Sequence, residues 1–376
     1  MADYVIIGGG VYGCAVAWEL ASKGAEVCLL EAKTIASGAS GGLGSRGVRA
    51  SGRDVRELPF MEEAYKIWPT LHEQLDGPVH YKRLGQLLVI EEELDVLRLE
   101  PQLWLQNQNG IESHWLDGDE AREMEPYLSE NIRAAIYTPN DGISDHTATT
   151  RSYAAAAKRL GVDVREGAAV DRLELSQGRV TAVITAKEER ISVEKSVLLA
   201  SNTHSQQLLK SELDITLPAW VMHPQVMHTD PVEPMPISHL IGHASRTLAM
   251  KPSPGNQLMI SGGWRGIFNP KTNRVEPNQA QVDGNLAQAV ATYPCLSGVG
   301  VAEVSVERPE LISQDGVPII DRFAGAENMV VAAGWCGHGW AMAPAVAKHL
   351  ASWLYTGSRP ECLDAFRYAR FFANKQ

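Results

Sequence analysis

Asp3-Tyr4-Val5-Ile6-Ile7-Gly8-Gly9-Gly10-Val11-Tyr12-Gly13 is the stretch that decides how the chain folds. The apolar run Tyr4–Ile7 directly before glycines reads as a buried strand. Residues 11–23 favour a helix, opened by Val11 and Tyr12, and Gly24 supplies its stop. Gly8 permits a tight turn, Gly10 lets a pyrophosphate approach the backbone, and Gly13 lets helix and strand pack closely. The helix N-terminus then faces the phosphate charge. Val27-Cys28-Leu29-Leu30 reads as a second buried strand, and Glu31 ends it, 21 positions after Gly10. That spacing suits a carboxylate bonded to a ribose hydroxyl, with Ala32 beside it. Strand, helix, second strand and acid are all in place, so the chain is expected to bind a dinucleotide with a free ribose, FAD or NAD.

Outward from this start, residues 34–52 are rich in glycine and serine without an apolar period, and read as a long loop. Loops of this length inside compact domains are usually functional. Ser37-Gly38-Ala39-Ser40-Gly41-Gly42 offers backbone N–H groups to a long cofactor. Residues 59–75 and 146–160 read as helices, with strands near 162–164, 180–185 and 196–200. From about 217 to 303 strands alternate, mostly without helices between them, which suggests an antiparallel sheet. The tail returns to a strand at Val330-Val331-Ala332, a glycine turn over Gly334, Gly337, His338, Gly339 and Trp340, and a helix over residues 343–354. The expected fold class is α/β plus α+β. A discontinuous Rossmann-like domain (1–85, 143–215 and 305–376) carries the nucleotide, and a mixed or antiparallel sheet (86–142 and 216–304) carries the substrate.

Composition narrows the function. A net charge of −11 argues against a broad nucleic-acid surface, which needs a basic face. The five cysteines are widely spaced without a C-x-x-C, which argues against a disulfide framework or zinc site and fits a reducing compartment. No metal is expected. No apolar run reaches membrane-spanning length, and no signal peptide is read. The expected location is cytoplasmic, with peripheral membrane association left open.

The sequence resembles the D-amino-acid oxidase family of FAD enzymes, which includes glycine oxidase, the sarcosine oxidases and related amino-acid dehydrogenase subunits. The matching pieces are the GGGVYG fingerprint with Glu31, the SGASGG loop, Asp315-Gly316-Val317-Pro318-Ile319-Ile320-Asp321, and GWCGHGWAMAPAVA from Gly334. They occur in the family's order across nearly the whole chain. The resemblance implies an FAD domain with a substrate domain over the flavin's reactive face. It implies hydride transfer from the carbon beside an amine nitrogen to flavin N5, giving an imine that hydrolyses. The substrate is then an amino acid, an N-substituted amino acid or a secondary amine.

Residue roles follow from the resemblance one by one. Arg46 and Arg49 match two arginines near flavin and substrate, and Arg49 is the candidate for a substrate carboxylate, by bidentate fit. His338 and Trp340 are the other candidate catalytic residues. Val170 is the usual place of a backbone contact to adenine, and Asn202 lies in a turn that fits FAD contact. Ala341 stands where a carboxylate-binding lysine is found, and Met259 where an oxygen-activating lysine is found. The missing charge at Met259 favours a dehydrogenase over an oxidase. No cysteine stands at the covalent-attachment place, so FAD is expected to be non-covalent. Arg308 stands near the place, aligned with Glu310, of an arginine used by glycine oxidase, and a structural salt bridge is the other reading. His146 matches a histidine that carries FMN in a sarcosine oxidase subunit, against the plainer reading of a cap or surface residue. Trp264 reads as core. The electron acceptor (oxygen, a quinone or a partner subunit) and a homo- or hetero-oligomeric state stay open. The alternatives are an FAD-bearing subunit that relays electrons within a larger complex, and a flavin monooxygenase or NAD-linked reductase.

Overall fold

The computed structural model describes residues 2–40 and 44–372. The strand Ala2–Ile7 lies between Val27–Leu30 and Arg190–Leu199, parallel to both. Asp163–Arg165 extends the parallel set on one side, and Ala326–Ala333 extends it on the other. The long strand Arg190–Leu199 serves two partners along one edge. Its first residues pair with the hairpin strand Arg179–Thr185, and Val197–Leu199 pair with Met329–Val331.

Alternation decides which face each side chain serves. Tyr4 and Ile6 join a core with the helices Val11–Ala21, His146–Arg159 and Ala343–Thr356. Val5 and Ile7 join a second core on the opposite face, with Leu208 and Leu209 of the helix Thr203–Leu213. Both faces are covered, which is why these strands are apolar without a break. The helix Val11–Ala21 is buried on most of its circumference, so its alanines and glycine keep it close to both neighbours.

A second sheet of eight strands runs in the order Val301–Ser305, Val226–Thr229, Gln257–Ser261, Ala249–Ser253, Leu240–His243, Gln86–Ile90, Ala134–Thr138, His114–Asp117. It is antiparallel except where Leu240–His243 runs parallel to Gln86–Ile90. Met227, Leu258, Ile260, Met250, Ile241 and Leu87 bury one face beneath the helix Gln279–Thr292. By alternation, His228, Met259, Lys251, Leu240 and Gln86 lie on the other face.

Three elements differ from the sequence reading. The long loop contains a strand, Ser45–Val48, because Gly142–Asp145 pairs with it antiparallel. The helix expected over residues 59–75 is broken at Trp68–Thr70, where Pro69 lacks the N–H that would continue it. The strand-rich middle holds the helix Gln279–Thr292, begun by Asn278, whose side chain accepts from Gln281 N. Among the described residues, no helix is long and apolar enough to cross a membrane.

Candidate active site

The glycine fingerprint forms a cradle with little freedom. Gly8 has φ +116°, and a Cβ there would lie 2.5 Å from the Ala200 carbonyl oxygen. A Cβ on Gly13 would lie 1.8 Å from the Gly8 carbonyl oxygen, so only glycine fits. A Cβ on Gly10 would meet nothing within 4 Å. The space before the helix is thus open where a pyrophosphate needs it, and Gly10 gives the helix no side-chain cap. The Glu31 carboxylate accepts from Gly9 N at 2.7 Å and from Lys33 N at 2.8 Å. Each oxygen retains a lone pair for a ribose hydroxyl. Ala32, next in the chain, is exposed. Open space at Gly10, an uncapped helix start and an anchored acid fit a bound dinucleotide.

The C-terminal glycine turn closes onto this cradle. Tyr12 stacks on Trp335, with ring centroids 3.7 Å apart and planes 8° apart, and its hydroxyl donates to Gly339 O at 2.6 Å. Val11 packs at the edge of the same core. Gly334 and Gly337 both have φ near +75°, and a Cβ on Gly339 would strike the Trp335 ring. His338 sits in this turn, held by Arg53 and Glu57. Arg53 donates to His338 O at 2.6 Å, Glu57 lies 3.3 Å from His338 Nδ1, and Arg53 and Glu57 pair at 3.2 Å. Burial pushes the His338 imidazole down, against the pull of Glu57. Burial thus favours the uncharged ring.

His338 and Arg49 line one cavity of about 380 Å³, with Gly52, Arg53, Asp54, Asp315 and Gly316. Arg49 donates to Ser51 O at 2.7 Å. The turn after it is fixed by Asp141, fully buried, which accepts from Ala50 N at 2.6 Å, from Ser51 N at 3.3 Å and from the Tyr65 hydroxyl. Burial pushes the Asp141 carboxyl up to about 6, although these donors and Arg49 pull it down. Trp340 packs against Trp68 at 5.1 Å and against His146 at 5.9 Å, and its Nε1 finds no hydrogen-bond partner among the described residues. Trp68 donates to the carbonyl of buried Ala341 at 2.7 Å.

Arg46 points to the open face of the eight-stranded sheet, with Nη1 3.9 Å from Met259 Sδ. Burial and the nearby Arg308 charge push it down to about 10, opposed by Asp145. Ser40 donates to Glu310, and Ser37 O accepts from Arg308 at 3.0 Å, so the serine loop rests on this segment. Arg308 is thus a loop anchor, and no ion pair to it is found among the described residues. Burial lifts the Glu310 carboxyl to about 7, with Ser40, Gly337 and Asn202 pulling it down. Asn202, at φ +49°, accepts from Leu311 N at 3.3 Å. Val170 O is bonded by the His204 ring at 3.0 Å, at the edge strand of the first sheet. Gly41 and Gly42 lie outside the described residues.

Two plain readings need correction. His146 is neither cap nor surface residue. Asp145 caps its helix, accepting from Thr147 N and Ala148 N, while His146 is buried and pushed down to about 3 by burial and by Arg46. Trp264 is half-buried outside the main cores, against Gly284 of the helix Gln279–Thr292, with its Nε1 on Thr247 O at 2.7 Å. The sequence reading also missed Arg53, Glu57, Asp141 and Lys251. No motif marks them. Lys251 in particular becomes visible only through strand register, directly across from Met259.

Comparison with known proteins places this geometry. A profile of the FAD dependent oxidoreductase (DAO) family matches residues 3–353. The chain is 26% identical to the sarcosine oxidase subunit beta of Rhizobium meliloti, over 98% of this chain and 88% of that protein. It is 24% identical to 4-methylaminobutanoate oxidase (formaldehyde-forming) of Paenarthrobacter nicotinovorans, over 94% of this chain but only 44% of that longer protein. In fold it matches the crystal structure of L-proline dehydrogenase from P. horikoshii, with a TM-score of 0.87, 23% identity, and coverage of 98% and 97% of the two chains. The chain belongs to the FAD dependent oxidoreductase (DAO) family, and its cofactor is FAD.

Proposed function

We propose that the chain oxidises the C–N bond of an amino acid, an N-substituted amino acid or a secondary amine. Bound FAD would supply the hydride acceptor, and water would hydrolyse the resulting imine. The observation that carries this reading is the shared cavity of Arg49 and His338, set against the glycine turn that meets the FAD cradle. Arg49 would orient a carboxylate, its approach fixed by Asp141. His338, neutral, would offer a ring nitrogen without adding charge, and Trp340 would exclude water. The glycine and serine positions of the cradle, Arg46, Asn202 and Val170 would hold FAD without a covalent bond. The first sheet would centre the FAD domain (1–85, 143–215 and 305–376) and the eight-stranded sheet the substrate domain (86–142 and 216–304).

Met259 supports a dehydrogenase over an oxidase, since no cation stands at that position. Lys251, directly across from it, is the observation on the other side. A subunit of a larger electron-relaying dehydrogenase is the second reading. Four exposed apolar side chains on neighbouring short strands, Trp220, Val221, Ile267 and Phe268, favour it. Five free thiols fit the cytoplasm.

The test is anaerobic. D- and L-amino acids, sarcosine, proline derivatives and opine-like secondary amines are added to the yellow protein, and air is then admitted. Bleaching by one amine class supports the reading, and a flavin that none of them bleaches refutes it. Slow reoxidation identifies a dehydrogenase, and fast reoxidation with peroxide an oxidase.

A further inference from the structure

Lys251 is a lysine on the site-facing side of a sheet whose other side is apolar core. Its neighbour Met250 packs into that core, so alternation turns Lys251 the opposite way. The register Lys251↔Met259 and His228↔Met259 aligns three side chains on one face, across three adjacent strands. Leu240 continues the row, one step past the Ile241↔Met250 pair. A Cβ on Gly47 would lie 3.1 Å from Leu240 Cδ2, so the strand Ser45–Val48 crosses this row directly. Arg46, on that strand, reaches Met259 Sδ at 3.9 Å. Lys251 therefore faces the arginine-bearing loop.

Its charge is not answered there. Among the described residues Lys251 has no ion-pair or hydrogen-bond partner, whereas Arg49 has Asp141 nearby. Burial and the charges of Arg46 and Arg49 push its ammonium down to about 7. A half-buried cation placed among cations is costly unless an anion joins it. An anion that comes and goes with the substrate meets that need.

We propose that Lys251 is a specificity-determining substrate ligand, whose ammonium holds a carboxylate of the substrate from the sheet side while the arginines act from the loop side. The proposal rests on the amine-oxidation reading and adds to it that the substrate is an anionic amine. Lys251 supplies a cation from the strand beside Met259. The carboxylate is either the one next to the reacting C–N bond or a second one further along the substrate, and the two are separated by experiment.

The holoprotein is titrated with benzoate and with benzamide, following the flavin absorbance, for wild type, Lys251→Met and Lys251→Arg. This readout needs no turnover, so it stands even if the amine chemistry fails. Lys251→Met is expected to weaken benzoate binding about 10- to 100-fold and to leave benzamide unchanged, with Lys251→Arg recovering much of the loss. Benzoate binding equal in wild type and Lys251→Met overturns the proposal. So does an equal loss for benzamide, or a wild-type flavin that benzoate leaves unperturbed. Steady-state kinetics then compare proline, iminodiacetate and prolinamide. A KM increase confined to proline and iminodiacetate places Lys251 on the carboxylate near the reacting bond. An increase confined to iminodiacetate places it on the distal one. An increase shared by prolinamide overturns the assignment. If no amine reduces wild type while the benzoate effect holds, the amine reading fails and the carboxylate site survives.

Discussion

The fingerprint cradle and the open face of the eight-stranded sheet are built under different constraints. The cradle is made of backbone, and its tolerances are tenths of an ångström. A Cβ on Gly13 already overlaps the Gly8 carbonyl, and Tyr12 is sandwiched on Trp335. The sheet face is made of side chains, His228, Met259 and Lys251, borne on ordinary strand backbone. A change there alters charge without moving a strand. On the proposed reading, the cofactor end is held by sterics and the substrate end by chemistry.

Breaking the cradle has the largest expected effect. Gly13→Val forces a branched side chain into the 1.8 Å gap to Gly8 O. The purified protein is expected to carry no flavin, read from its visible spectrum. A yellow Gly13→Val protein would show that the cradle tolerates a branched side chain there. Arg49→Met, on the substrate side, is expected to keep its flavin and lose about 100-fold in kcat/KM for a carboxylated amine. Loss of flavin in this variant would move Arg49 to the cofactor side.

Asp141→Asn sharpens the contrast further. The carboxylate accepts from Ala50 N and Ser51 N together, and an amide would turn a donor towards one of them. A loss of about 1–3 kcal/mol in stability is expected, from denaturant titration, together with a raised KM and unchanged flavin binding. A raised KM shows that this buried acid positions Arg49. Lost stability with wild-type kinetics would leave it a structural residue.

Lys251 makes a pH prediction. Its ammonium titrates at about 7 without an anion, and a bound carboxylate favours the charged form. Carboxylate affinity is therefore expected to fall as pH rises through about 7, and Lys251→Arg to remove that limb. The groups facing it are Arg46, Arg49 and His228; burial pushes Arg46 down only to about 10, above the limb, and pushes the His228 imidazole down, away from it.

The smallest effect lies far from both regions. A hydrogen bond with Cys362, opposed by burial and aided by Glu63, raises His349 from 6.5 to about 9. Folded His349 holds its proton more tightly than the unfolded chain does. Its stabilisation is therefore complete below about 6.5 and is lost as pH rises through about 9. The Tm gap between wild type and His349→Gln should close over that window, with no change in kcat.

What was legible in the sequence follows the same division. Gly8, Gly10, Gly13 and Glu31 sit within one short window, where the positive φ of Gly8, the uncapped helix start at Gly10, the Gly13–Gly8 approach and the N–H groups of Gly9 and Lys33 all act locally. The tail turn was legible for the same reason. The strand Ser45–Val48 was not, because it exists only by pairing with Gly142–Asp145, far along the chain. Lys251 was missed because its partners are set by register, and a search at Met259 alone could not count a cation one strand away. Asp141 and Glu57 carry no motif, and their roles appear only once the loop folds over them.

On the proposed reading, an FAD cradle faces a cationic substrate wall. That arrangement is tested most directly by anaerobic reduction of the wild-type flavin with matched amines that differ only in a carboxylate, proline against prolinamide and sarcosine against its amide. The carboxylated member of a reactive pair is expected to bleach the flavin at much lower concentration. Equal bleaching by acid and amide, or none by any amine, would contradict it.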